Sequence, residues 1–170
     1  MLVRREIPAD GAAVAAVHTA AFSRGDDSQP AEVALVDALR DDGDMVPGLS
    51  LVAVADDCVV GHVVCSRGWV DDRPSLGLGP LGVLPAHQRS GVGLALMHAV
   101  LAAADALEET EVFLLGDPGY YCRFGFVLAA PLGLLPPGPA WSEHFQVRPL
   151  TAWDPSVRGT FRYAPAFDRL

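Results

Sequence analysis

The spacing of hydrophobic positions changes period several times along the chain, and the changes mark the elements. From Pro8 to Phe22 the chain is alanine-rich, with Val14, Val17 and Ala21 at helical spacing and Pro8 suited to a first turn. A polar stretch from Ser23 to Gln29 interrupts it. Pro30 then opens a second helix running to Arg40, whose Val33, Val36 and Leu39 form a stripe, and Asp41-Asp42-Gly43-Asp44 ends it. The period next drops to two. Leu51 to Ala55 and Val59 to Ser66 are β-branched runs joined by Asp56-Asp57, which predicts a hairpin. On its second strand His62, Val64 and Ser66 share one face, and Gly61, Val63 and Cys65 the other.

Gly68 to Pro74 reads as a loop and Leu76 to Leu84 as a strand. A helix from Gly91 to Ala104 is expected to turn Leu94, Met97, Val100, Leu101 and Ala104 inward. Then come a strand from Glu111 to Leu115, a short turn-rich helix from Pro118 to Phe124, and strands near Phe126, Phe145 to Leu150 and Thr160 to Tyr163. The Pro/Gly-rich stretch Pro131 to Pro139 reads as a surface loop. This order predicts an α/β fold with a mixed sheet, and residues 1–170 are expected to form a single domain.

Composition narrows the function classes. At 51% hydrophobic and 19% charged residues the chain has the make-up of a packed globule, and no apolar run approaches the ~20 residues of a membrane span. The N-terminus carries Arg4, Arg5 and Glu6 with no apolar stretch behind them, so a cytoplasmic protein without a signal peptide is expected. Twelve basic residues, every one an arginine, face 21 acids, for a net charge of −9. That argues against a nucleic-acid groove and a polybasic membrane patch, and it permits a cationic substrate. The pairs Asp26–Asp27, Asp41–Asp42, Asp56–Asp57 and Asp71–Asp72 read as solvated turns. Cys58, Cys65 and Cys122 lack metal-ligand spacing and read as free thiols.

Candidate chemistry concentrates in Leu81-Gly82-Val83-Leu84-Pro85-Ala86-His87-Gln88-Arg89-Ser90-Gly91-Val92-Gly93-Leu94. A strand runs into a short polar loop, and a helix opens on two glycines. Unpaired first-turn N–H groups and the helix dipole make an anion cradle, and glycines let a phosphate approach the backbone. Gln88 and Arg89 add side-chain donors. The geometry is equally that of a plain helix N-terminus. Gly77-x-Gly79-x-x-Gly82 matches a dinucleotide fingerprint only literally, since it lies within a strand and contains Pro80. With no lysine in the chain, a Walker-type loop is excluded.

Gln88-Arg89-Ser90-Gly91-Val92-Gly93 resembles the Q/R-x-x-G-x-G/A loop of the GNAT superfamily of acyl-CoA-dependent N-acetyltransferases. Downstream, Gly116-Asp117-Pro118-Gly119-Tyr120-Tyr121-Cys122-Arg123-Phe124-Gly125-Phe126 resembles the family's second signature in its bacterial YhbS-like form. Gly61-His62 and Tyr163-Ala164-Pro165-Ala166-Phe167 are similar to the same branch. The resemblance implies a mixed, mostly antiparallel sheet splayed between its fourth and fifth strands and flanked by helices. It also implies acetyl-CoA as cosubstrate, without a metal. Leu81, Gly82 and Val83 would meet the pantetheine arm and the amides of Gln88 to Leu94 the pyrophosphate. Asp117, Tyr120 and Arg123 fall in the same cofactor-binding set.

Within that resemblance Tyr121 takes the place of the general acid for the departing thiolate. A tyrosine near pKa 10 gives its proton to a thiolate near 8.5 only uphill, so its main gain is a hydrogen bond to developing charge. Many relatives carry a glutamate on the strand before the glycine loop, but Leu76 to Val83 has no acid. Glu32, similar to an acid in the second helix of the YhbS-like branch, and His62 are the candidate bases, with water alone a third option. Glu32 equally fits dipole complementation in a first turn, and His62 a structural role. Nothing singles out His18, His87, His98 or His144. A covalent route through Cys122 is disfavoured, since no group is placed to lower its pKa.

The reading is an N-acetyltransferase acting on a primary amine in a ternary complex. The acidic composition tilts toward a small cationic amine, polyamine or aminoglycoside-like acceptor. A non-catalytic acyl-CoA-binding module is the alternative, and the apolar C-terminal segment is compatible with a homodimer.

Overall fold

The computed structural model describes residues 1–23, 25 and 28–169, so the expectation for Asp26–Asp27 lies outside the described residues. Strand β1 (Leu2–Arg5) is followed by a 3-10 turn at Pro8–Asp10, helix α1 (Gly11–Phe22) and helix α2 (Ala31–Asp41). The long strands β2 (Met45–Ala55), β3 (Cys58–Val70) and β4 (Arg73–Val83) form a meander, then helix α3 (Val92–Ala106) leads to β5 (Glu111–Leu115). A short helix α4 (Pro118–Tyr121) precedes β6 (Val127–Leu128), β7 (Leu134–Leu135), β8 (Phe145–Pro149) and β9 (Gly159–Arg162). The sheet runs β1-β2-β3-β4-β5-β8-β6, with β9 on β3 and β7 on β9. Within its central path only β4 and β5 pair in parallel.

The two acidic turns set the meander. Asp56 and Asp57 have φ of 49° and 60°, the left-handed pair that a two-residue hairpin needs, and the register closes at Ala55↔Cys58. Asp71, at φ 51°, opens the turn between β3 and β4, which close at Val70↔Arg73. The expected loop over Gly68 to Pro74 is therefore strand on both sides of a tight turn. Gly68 and Trp69 continue the ladder, and Gly68 lies against the Phe161 ring, where a Cβ would sit 2.5 Å from its Cζ. That close packing against β9 is not visible in local composition.

Helices cover both faces. A Cβ at Gly61 would meet Val92 and Leu96 of α3, whereas the neighbouring His62 touches His18 of α1, so α1 and α3 lie on opposite sides. The larger core joins Leu51, Val63 and Leu78 of the sheet to Leu96, Met97 and Val100 of α3. Met97, Val100, Leu101 and Ala104 are buried as expected, together with Val92 and Leu96, whereas Leu94, at the edge of that stripe, is 45% exposed. A second cluster stacks Phe113 on Phe145 and Phe161, with ring centroids 5.4 and 4.3 Å apart. Leu134 is buried in it and β7 pairs with β9, so the stretch Pro131 to Pro139 is only partly a surface loop. The acidic pairs at 41–42, 56–57 and 71–72 are exposed.

Candidate active site

The site begins at a defect in β4. Val63 pairs with Leu81 but Cys65 pairs with Leu78, so Val64 faces two residues, Gly79 and Pro80. Such a bulge bends the strand, and Gly79 adopts φ +148°, a conformation that favours glycine. Pro80 brings no N–H to the ladder. The parallel pairing to β5 is correspondingly brief, Leu76↔Val112 and Gly77↔Phe113. Beyond it β4 and β5 part, and Leu78 to Leu81 on one side and Leu114 and Leu115 on the other border a cavity of about 480 Å³.

A second cavity, of about 580 Å³, lies toward the start of α3. Gly91 caps that helix at φ +93°, with Arg89 also left-handed at φ 58°. Ser90 Oγ donates to the His87 carbonyl at 2.6 Å and Gln88 Nε2 to the Val83 carbonyl at 3.1 Å, which fixes the loop. The first-turn N–H groups of α3 have no intrahelical acceptors and carry the positive end of its dipole. Arg89 and Arg123 line the same cavity, and Arg123 lies over the Tyr120 ring at 4.7 Å. A locally positive cradle thus exists in a chain of net charge −9.

Asp117 caps α4, its Oδ1 accepting from Gly119 N–H at 2.9 Å and its carbonyl accepting from Tyr120 and Tyr121. The tight turn sends the tyrosines to different places: Tyr120 lines the cradle and Tyr121 the cavity at the β4–β5 split. Phe22 and Leu81 line both, so the cavities share a wall. Gly116 lets the Tyr121 ring lie against the backbone, where a Cβ would collide with it. Burial, with Tyr120 adding to it, pushes the Tyr121 hydroxyl up to about 12. It therefore keeps its proton at neutral pH and acts as a donor.

The remaining expected residues divide. Leu81, Val83, Gln88, Arg89, Gly91, Gly93, Leu94, Tyr120 and Arg123 all border the cradle. Gly82, Ser90, Val92 and Asp117 do not: Gly82 faces His18, Val92 is core, and Ser90 and Asp117 hold loop and helix cap. Glu32, in the first turn of α2, lines the cavity that contains Tyr121. His62 lines neither cavity, which corrects its place among the candidate bases. It is fully buried, its Nδ1 2.7 Å from His18 Nε2 and its Nε2 2.9 Å from Ser50 Oγ. A strand alternation gives its face but not that a helix covers it. Phe22, Trp141, Tyr163 and Phe167 also border the Tyr121 cavity, and no local pattern assigned them to it. Among the described residues no cluster of His, Cys, Asp or Glu could hold a metal, and no helix is long and apolar enough to cross a membrane.

Comparison with known proteins places this architecture. The sequence model of the Acetyltransferase (GNAT) family matches residues 14–126. The chain is 35% identical to the uncharacterized N-acetyltransferase YhbS of Escherichia coli K12 over 174 aligned residues, covering 99% of both chains. It is 33% identical to N-acetyltransferase YjhQ of the same organism over 78% of each. The crystal structure of E. coli YhbS in complex with CoA superposes with a TM-score of 0.90 at 34% identity, covering 99% of this chain and 92% of that one. A GNAT acetyltransferase from Brucella melitensis in complex with acetyl-CoA superposes at 0.81, also 34% identical, covering 98% and 97%. By both its sequence and its fold, the chain belongs to the GNAT family of N-acetyltransferases.

Proposed function

We propose that residues 1–170 act as one domain that binds acetyl-CoA along β4 and the start of α3 and transfers its acetyl group to a primary amine in a ternary complex. One observation carries this reading: the positive cradle and the Tyr121 cavity share Phe22 and Leu81, so a thioester held by the first would reach an amine held by the second. The CoA and acetyl-CoA complexes of the two similar structures support acetyl-CoA as cosubstrate. Arg89, Arg123 and the first-turn amides of α3 suit its phosphates, and Leu81 and Val83 its pantetheine arm.

Acetyl-CoA supplies an activated carbonyl; the chain's residues hold the amine against it and move two protons. Glu32 receives a proton from the arriving ammonium and releases it to solvent, leaving a free amine to form the C–N bond as the C–S bond breaks. Tyr121 donates a hydrogen bond, then its proton, to the departing sulfur, and the second proton that the nitrogen loses as the amide forms restores Tyr121. One proton is released per turnover. The test is thiol release from acetyl-CoA at pH 8 across a panel of amines. Amine-dependent release with acetylated product supports the reading, and acetyl-CoA binding without transfer to any amine or protein acceptor sinks it.

A further inference from the structure

The net charge of −9 tilts expectation toward a polycationic acceptor, but among the described residues Glu32 alone of the acids lines the cavity that would hold it. The exposed pairs at 41–42, 56–57 and 71–72 sit on turns. Among the described residues around the Tyr121 cavity, the one side chain with a formal charge at neutral pH is Glu32. Among the described residues its carboxylate makes no hydrogen bond or ion pair, so it is free to receive a ligand cation.

The other lining side chains are aliphatic or aromatic, with Tyr121 and Tyr163 carrying hydroxyls. Phe22 and Leu35 come from the first two helices, and Trp141, Tyr163 and Phe167 from the C-terminal part of the chain. The three aromatics form one surface: Trp141 and Tyr163 are 6.4 Å apart between ring centroids, and Tyr163 and Phe167 4.4 Å. All three lie beyond residues 14–126, the stretch matched by the family model. The matched stretch carries the cradle and Tyr121, while the added segment closes the acceptor side with aromatic surface.

Resting on the reading above, we propose that this cavity takes a hydrophobic primary amine with a single cationic head, an arylalkyl or branched alkyl amine, with Glu32 receiving the ammonium and Trp141, Tyr163 and Phe167 packing its body. A volume of about 480 Å³ accommodates such a molecule. Among the described residues a polyamine would meet no second carboxylate for its further ammonium groups, only rings and aliphatic side chains, and a polyol would find few partners for its hydroxyls. A longer acyl chain would fit the apolar wall but would leave Glu32 without a cation, so the amine is the better occupant.

The experiment measures kcat/KM with acetyl-CoA for phenylethylamine and isoamylamine against spermidine and kanamycin, with acetyl-CoA binding followed separately by calorimetry. The expected result is a preference of about tenfold or more for the two hydrophobic amines. Trp141→Ala should raise their KM about tenfold with the KM for acetyl-CoA unchanged, and Glu32→Gln should lower kcat/KM for them even if Trp141→Ala fails to fold. Equal or better turnover of spermidine or kanamycin overturns the inference. So does a preference for hexanoyl-CoA over acetyl-CoA that Trp141→Ala abolishes, or silence with both hydrophobic amines while acetyl-CoA binds. Loss of acetyl-CoA binding by the wild-type protein would instead overturn the acetyltransferase reading on which the inference stands.

Discussion

His18 Nε2 lies 2.7 Å from His62 Nδ1, and both rings are fully buried between α1 and β3. One of their protons can be placed by following the chain outward. Ser50 Oγ donates to Glu6 Oε2 and so accepts from His62 Nε2 at 2.9 Å. The other ring nitrogen of His62, Nδ1, shares one hydrogen bond with His18 Nε2. Among the described residues His18 Nδ1 has no hydrogen-bond partner, and it packs toward Gly82. The far end is anchored by Arg40, which donates to Glu6 Oε1 at 2.8 Å.

This chain predicts loss of stability in acid. Burial, reinforced by His62, lowers His18 to about 3 from its ordinary 6.5, with Glu6 offsetting part of the effect. Below about pH 6.5 the unfolded chain binds a proton that the folded chain refuses, so stability falls as pH falls toward 3. Burial alone would raise Glu6, but hydrogen bonds from His62, Ser50 and Arg40 hold it at about 2, and its contribution is lost as pH falls from 4.5 toward 2. Urea midpoints measured from pH 8 to pH 4 should therefore decline. His18→Leu should be less stable at pH 8 by about 1–3 kcal/mol, because His62 loses its partner, yet show a flatter slope between pH 6.5 and 4.5.

Gly82 is committed to the same contact. A Cβ there would lie 2.7 Å from His18 Nδ1, and both neighbours are held between helix and sheet. Gly82→Ala should destabilise the protein by about 1–3 kcal/mol in thermal melts, through overpacking. An unchanged melting temperature would show that α1 yields at this point.

Tyr121 should matter for turnover and not for cofactor affinity. Tyr121 lines the cavity at the β4–β5 split, while Tyr120 lines the cradle. Tyr121→Phe is expected to lower kcat about 10²-fold or more with the Kd for acetyl-CoA within about twofold. Because burial raises the hydroxyl to about 12, no alkaline fall in kcat from this group should appear below pH 10.

The two glycines of the cradle make different predictions. Gly91 adopts φ +93°, so Gly91→Ala strains the helix cap by about 1–2 kcal/mol and should reduce both stability and acetyl-CoA affinity. Gly93 tolerates a methyl, which would sit 3.4 Å from Tyr120 Oη, but not a branched side chain. Calorimetry should find Gly93→Ala close to wild type and Gly93→Leu weakened about tenfold or more, because the isobutyl group projects into the cavity.

Thiol chemistry separates the cysteines. Cys58 and Cys122 are exposed, while Cys65 is buried and burial pushes its thiol far up. A chromogenic thiol reagent should label Cys58 and Cys122 in the native protein and Cys65 only after unfolding. Fast labelling of Cys65 would mean that the sheet between β3 and β4 opens readily.

The order of elements was legible in the chain because periodicity is a local property. Val33, Val36 and Leu39 are buried as their spacing requires, and Glu111–Leu115 forms a strand with the expected bounds. The cradle was legible too, since Gln88 to Gly93 and the tyrosine turn lie on short contiguous stretches whose glycines answer local backbone demands. Leu94 was misjudged because it stands at the edge of the buried stripe, where only tertiary packing decides whether a side chain is covered. Tertiary structure alone decided the rest. It pressed α1 onto β3, turning His62 from a candidate base into a buried partner of His18 across 44 positions of sequence. It also brought Glu32, Tyr121, Trp141, Tyr163 and Phe167 around one cavity. Contacts between residues so far apart follow from how the bulged strand bends and what the helices cover, and no local run of residues encodes either.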